Sequence, residues 1–206
     1  MRRGLRPALA AAIVPLVLLF GCGSDPKAPD TTAPAGFTVF KEDKAGFAVG
    51  VPADWVKIPM SDDLGDFNDK ANKLRLENAN LGSAIVLARI VTQAGGRLFA
   101  VDRDGVASLN LTVGKADEKT LDEVLAVTKP ALEKNGATEL ADEGLNLPAG
   151  PAIRLRFKLP VQTDDGTVTR NEVQYYLLKD GKTYILTVVS DDSALAATVA
   201  ETLRIR

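Results

Sequence analysis

The chain has no histidine and only one cysteine, Cys22. Without histidine there is no imidazole general base, no Ser-His-Asp triad and no His-containing zinc site. Cys22 lies in the N-terminal export region, so the part that folds also lacks thiol chemistry and any intramolecular disulfide. Neither sign of charge dominates. With 25 Lys+Arg against 27 Asp+Glu and a pI near 5.3, the composition argues against a nucleic-acid partner, which requires a clustered basic face. No G-x-S-x-G, Walker A or G-x-G-x-x-G sequence occurs, so the nucleophile elbow and the phosphate cradles are missing. What remains is a chain of 206 residues, 46% apolar and 25% charged. That is the composition of a globular domain rather than of a disordered or fibrous chain.

The most informative segment is the N-terminus. Met1, Arg2, Arg3 and Arg6 precede an apolar run from Pro7 to Phe20, the order of a secretory signal. As a helix the run reaches only about 21 Å, short of the roughly 30 Å hydrocarbon core, and Pro15 interrupts it, so a permanent span is disfavoured. The run ends in Leu19-Phe20-Gly21-Cys22, which resembles the bacterial lipobox. The resemblance implies cleavage before Cys22, a diacylglyceryl thioether on its sulfur and an N-acyl chain on its amine. Removing residues 1–21 takes away Arg2, Arg3 and Arg6, leaving 22 basic against 27 acidic residues, net −5. Acyl chains contributing about 0.8 kcal/mol per buried CH₂ hold such a protein stably on a bilayer.

Residues 22–36 are then expected to be the lipidated cysteine and a disordered tether, because Gly23 to Gly36 contains three prolines and no large apolar side chain. Ser24-Asp25-Pro26-Lys27 is a formal S-x-x-K, but it lies in that tether and has no S-D-N or K-T-G partner. Residues 37–206 suit a single domain. Phe37 to Lys41 and Gly46 to Val51 read as a hairpin closed by Pro52, and Trp55 to Ile58 as a return to β structure. Leu64, Phe67, Ala71 and Leu74 predict a helix within Asp62 to Leu81. Ser83 to Val91 fits either helix or buried strand, with helix favoured. Arg97 to Asp102 and Val106 to Val113 flank a D-G turn. Thr120 and Glu123 have capping-box spacing ahead of a helix that Pro130 is expected to kink or divide. The last seventy residues alternate as four long strands, followed by a helix from Ala194 to Leu203 capped by Ser193. The order predicts an α+β sandwich.

Gly46-Phe47-Ala48-Val49-Gly50-Val51-Pro52-Ala53-Asp54-Trp55 resembles the G-F-x-V-x-V-P-x-x-W opening of PsbP-like domains, and Tyr175 to Thr187 is similar to their late hairpin. Leu98 to Asp102 with Ser108 to Leu111 is similar to the middle of LpqN/LpqT-type lipoproteins of mycolic-acid-bearing actinobacteria. The resemblance implies a central antiparallel β-sheet with helices packed on both faces, and a place in the cell envelope, in some members beside mycolate-lipid transport. It brings no catalytic residues, and fold likeness does not fix function.

Candidate site residues are few. Trp55 is read mainly as a core or rim aromatic. Tyr175 and Tyr176 are neighbours on one strand and point to opposite faces, so one of them faces outward or into a groove. Paired aspartates at 62/63, 164/165 and 191/192 fall in turns or at helix starts, where carboxylates cap amides. Asp102 and Asp104 lack the further ligands of a calcium loop. The expectation is a non-catalytic envelope lipoprotein without cofactor or metal. It is anchored through Cys22 and binds a lipid, a glycolipid or an envelope protein through Trp55, Tyr175 or Tyr176. The alternatives are a carboxylate-dependent hydrolase of envelope components and a surface adhesion protein.

Overall fold

Alternation along the strands sorts the side chains onto two faces of one sheet, and the rest of the chain is arranged around them. The computed structural model describes residues 27–61, 63–163 and 166–206; residues 1–26, Cys22 among them, and Asp62, Asp164 and Asp165 lie outside them. Strands β1 (Phe37–Glu42) and β2 (Phe47–Pro52) form the expected hairpin. They are followed by β3 (Val56–Lys57), helix α1 (Leu64–Glu77), a 3-10 turn over Ala79–Leu81 and helix α2 (Gly82–Gln93). Next come β4 (Gly96–Val101), β5 (Ser108–Lys115) and helix α3 (Leu121–Lys134). The meander is β6 (Thr138–Leu147), β7 (Gly150–Thr163), β8 (Gly166–Lys179) and β9 (Lys182–Val189), closed by α4 (Ser193–Thr202) and β10 (Arg204–Ile205).

Seven strands pair in the order β3-β4-β5-β9-β8-β7-β6, all antiparallel, while β1, β2 and β10 make a separate small sheet. The fold is therefore α+β with helices on both faces of an antiparallel sheet. The second sheet is not legible in the sequence. β10 is two residues long and exists because the end of α4 delivers Ile205 opposite Phe47.

One face of the large sheet carries Leu98, Leu109, Leu111, Tyr175, Leu177 and Leu186, all buried against β2 and α4. The contact is close enough to require a glycine. The Gly50 N–H donates to Thr202 Oγ1 at 2.7 Å, and a Cβ at position 50 would stand 2.9 Å from that oxygen. The opposite face is covered in two separate places. Helices α1 and α2 and the 3-10 turn between them bury Phe67, Ala88 and Leu81 on Phe99 and Val101. Helix α3 buries Val124 and Leu125 with Ile153, Leu155 and Phe157.

Several local expectations are corrected. The helix predicted over Asp62 to Leu81 ends at Asn78, whose N–H bonds back to Leu74. Helix α3 has the expected capping box, yet it runs undivided through Pro130. Pro130 and Ala126, whose carbonyl loses its partner there, are both exposed, so water can satisfy that carbonyl. The cap of α4 is Asp192, which accepts from the Ala194 N–H at 2.9 Å, rather than Ser193. Residues 27–36, expected as part of a free tether, have no regular structure but lie along the domain. The Ala28 N–H donates to Asp43 Oδ1 at 2.6 Å, and Thr31 Oγ1 donates to the Thr202 carbonyl at 2.7 Å. Long-range bonds of this kind hold a segment whose own side chains cannot form a core.

A polar-floored groove between α2 and α3

The two helical coverings leave the middle of the sheet open. There β5, β9 and β8 present a grid whose rows are fixed by register. Ser108, Val189 and Glu172 form one row, Asn110, Thr187 and Gln174 the next, and Thr112, Ile185 and Tyr176 the third. Alternation along β5 sends Leu109 and Leu111 into the sealed core and Ser108, Asn110 and Thr112 to this side. Helix α2 contributes Leu87 and Val91 as one wall, and α3 contributes Val127, Thr128, Ala131 and Leu132 as the other. Together they enclose a groove of about 480 Å³, within the range of small-molecule sites. Leu87 and Val127 stay 43% and 58% exposed at its rim.

Ser108, Asn110 and Thr187 are each less than a tenth exposed. Their side chains make no hydrogen bond to any described residue. Their polar atoms are nonetheless not sealed off, since among the described residues the one buried side-chain N or O atom without a partner is Arg154 Nε, so in the groove they stay open to water or a ligand. Gln174 is held differently, since its Oε1 accepts from the Tyr176 hydroxyl. Burial pushes the Tyr176 phenol up, which keeps it a neutral donor. Glu172 is the one carboxylate in the lining, and burial raises its pKa from 4.5 to about 7.

The sequence-predicted residues part company here. Tyr176 lines the groove, while Tyr175, one position earlier, points into the sealed core. Trp55 is partly buried against that same core and away from the groove. Cys22 is outside the described residues. Of the aspartates, Asp63 caps α1, Asp66 pairs with Lys70 and Asp102 accepts from the Val106 N–H, all duties of turns and helix ends. Among the described residues no group of three His, Cys, Asp or Glu side chains is placed to hold a metal. Glu172, Asn110 and Gln174 escaped the sequence reading. The available signal was the alternation of polar residues with Leu109 and Leu111 in a sheet expected to be covered on both faces.

No family model matches the chain, and neither does any curated protein. Among solved structures, cyanobacterial PsbP (CyanoP) from Synechocystis superposes with a TM-score of 0.54 at 14% identity, covering 87% of this chain and 98% of CyanoP. The fold is thus PsbP-like. LpqN, involved in cell envelope biogenesis of Mycobacterium tuberculosis, superposes with a TM-score of 0.36 at 13% identity over 89% of this chain and 87% of LpqN.

Proposed function

We propose that this protein is an exported, lipid-anchored binding domain of the cell envelope, and that the groove between α2 and α3 takes an amphiphile with an uncharged, hydroxyl-rich head group. The observation that carries this reading is the floor. Ser108, Asn110 and Thr187 are nearly buried, unpaired and uncharged, and they lie between apolar rims. Hydroxyl and amide side chains exchange donors and acceptors with sugar-like hydroxyls, whereas an anionic head would need a cation, and the groove's lining holds no Lys or Arg. Leu87, Val91 and Val127 would lie along the first part of an acyl chain. The envelope location rests on the export signal and Cys22 at the head of the sequence. In this reading the domain holds its ligand without converting it, since the described lining of the groove supplies a single carboxylate, and one carboxylate does not make a hydrolytic pair.

The test uses dodecyl maltoside below its micellar concentration, followed by the side-chain amide NMR signals of Asn110 and Gln174. These signals should shift saturably, and dodecyl phosphate should not reproduce the effect. Equal shifts from both detergents, or none in the groove, would remove the reading. Export and anchoring are tested separately. Cys22→Ala should leave the membrane fraction after a high-salt wash, and retention would refute anchoring through that residue.

A second reading follows from Val86 and Ile90, one turn apart on α2 and 63% and 57% exposed. Such a pair on an otherwise amphipathic helix suits an envelope protein partner. Cross-linking from Val86→Cys in the intact envelope would give a discrete protein adduct on that reading, and only lipid adducts on the first.

A further inference from the structure

We infer that the end of the domain carrying the β1–β2 and β8–β9 turns is its bilayer-facing surface, and that it docks on anionic phospholipid head groups through Lys44, Arg97, Lys115 and Lys182. The inference builds on the reading of Cys22 as the anchored residue.

Two independent observations meet at this end. The first is where the chain leaves the fold. Ala28 is buried and bonded to Asp43 in the β1–β2 turn, and the Arg206 guanidinium reaches the Lys27 carbonyl at 3.4 Å. From Ala28 back to Cys22 there are six residue steps, which span at most about 21 Å even when fully extended. An acyl group on Cys22 therefore holds this end close to the head groups and leaves the opposite end no such reach. Had residues 27–36 been free, the leash would have been about two and a half times as long and would have set no orientation.

The second observation is charge. The start of β4, the end of β5 and the β8–β9 turn meet the β1–β2 turn around a recess of about 460 Å³, lined by Lys44, Arg97, Lys115 and Lys182 with Asp180 as the one carboxylate. Lys44 and Lys115 are exposed and form no ion pair among the described residues. Of the acids nearby, Glu42 accepts from the Lys44 backbone N–H at 3.3 Å. Asp43 is bonded to the Ala28 N–H, while Asp117 and Glu118 follow Lys115 on the approach to α3. The other end of the sheet carries Asp54, Asp102, Asp104, Asp191 and Asp192 in its loops, with Arg103 among them as a cation. A chain that is net acidic after cleavage thus concentrates its cations at the end tied to the lipid, where anionic head groups attract basic residues over roughly a Debye length. In this pose the Thr112–Ile185–Tyr176 row is the part of the groove nearest the bilayer, since Thr112 is three residues from Lys115 on β5.

The experiment uses the chain from Gly23 to Arg206, which retains every described residue and carries no acyl group. It is sedimented with vesicles of phosphatidylglycerol mixed into phosphatidylcholine, and with vesicles of phosphatidylcholine alone. Binding to the anionic vesicles at low salt, its loss in high salt and its absence on neutral vesicles are expected. At about fivefold per cation, the triple change Lys44→Gln, Lys115→Gln and Lys182→Gln should weaken it by about 100-fold. Removing three cations elsewhere, Lys57→Gln, Lys73→Gln and Arg103→Gln, should leave most of it. Equal losses in the two triple variants would overturn the inference, as would the absence of binding to anionic vesicles. Because no lipidation enters this experiment, its failure is distinct from failure of the Cys22 reading, which fractionation of Cys22→Ala decides.

Discussion

The two faces of the large sheet are built from the same strands and differ in what lies across them. Behind Leu109 and Leu111 the small sheet and α4 close without a gap, and the side chains interdigitate at low exposure. Behind Ser108, Asn110 and Thr112 the helices stand apart, and these three side chains have no hydrogen-bond partner among the described residues. Having helices on both faces does not make both faces dry. The spacing of α2 and α3 decides whether a strand's second face becomes core or site.

The largest effect should come from the sealed side of β5. Leu109→Ala opens a cavity in the sealed core and should cost about 2–5 kcal/mol in urea unfolding. Equal losses from Leu109→Ala and Asn110→Ala would abolish the distinction between the faces. Trp55→Ala tests the rim of the sealed side. Because the indole is only partly buried, about 2 kcal/mol is expected rather than the loss of a fully enclosed ring.

Glu172 sharpens the comparison on the open side. Its folded pKa is raised to about 7 from 4.5, so between those values the folded state holds more protons than the unfolded chain. Stability must therefore fall as pH rises through that window and level off above it. Glu172→Gln should remove this fall and stabilise the protein by about 2 kcal/mol at pH 8, allowing for water in the groove, with almost no effect at pH 4. Urea titrations across that range check both the sign and the window; a stability that rises with pH in wild type but not in the variant would refute burial as the cause.

The smallest expected effect is also the most specific. Asn110→Ala should change stability by less than about 1 kcal/mol, because no protein hydrogen bond is lost, while it weakens dodecyl maltoside binding. A large loss of stability would mean that the amide serves the fold instead of a ligand.

Much of the architecture could be read from local pattern. The hairpin around Glu42 to Gly46, the meander with its D-G turns and the Thr120/Glu123 capping box all depend on contacts within a few residues. The parts that were misread depend on distant ones. The fixing of residues 27–36 needs Asp43 and Thr202, and the second sheet needs Ile205 brought to Phe47. The candidate site was legible only in fragments. Tyr176 was singled out for its strand parity, but Glu172 and Asn110 look like ordinary solvent-facing residues of alternating strands.

By itself the sequence determined the α+β order of elements and which residues share a strand face, because each follows from a period of two or 3.6 residues. Tertiary structure alone decided that Asn110, Thr187 and Gln174 form one row, that α2 and α3 leave that row open, and that four cations from separate elements converge at the end where Ala28 is held. Those are distances between residues far apart in the chain. No local preference encodes them, and they are set only when the apolar face closes and fixes the register of every strand behind it.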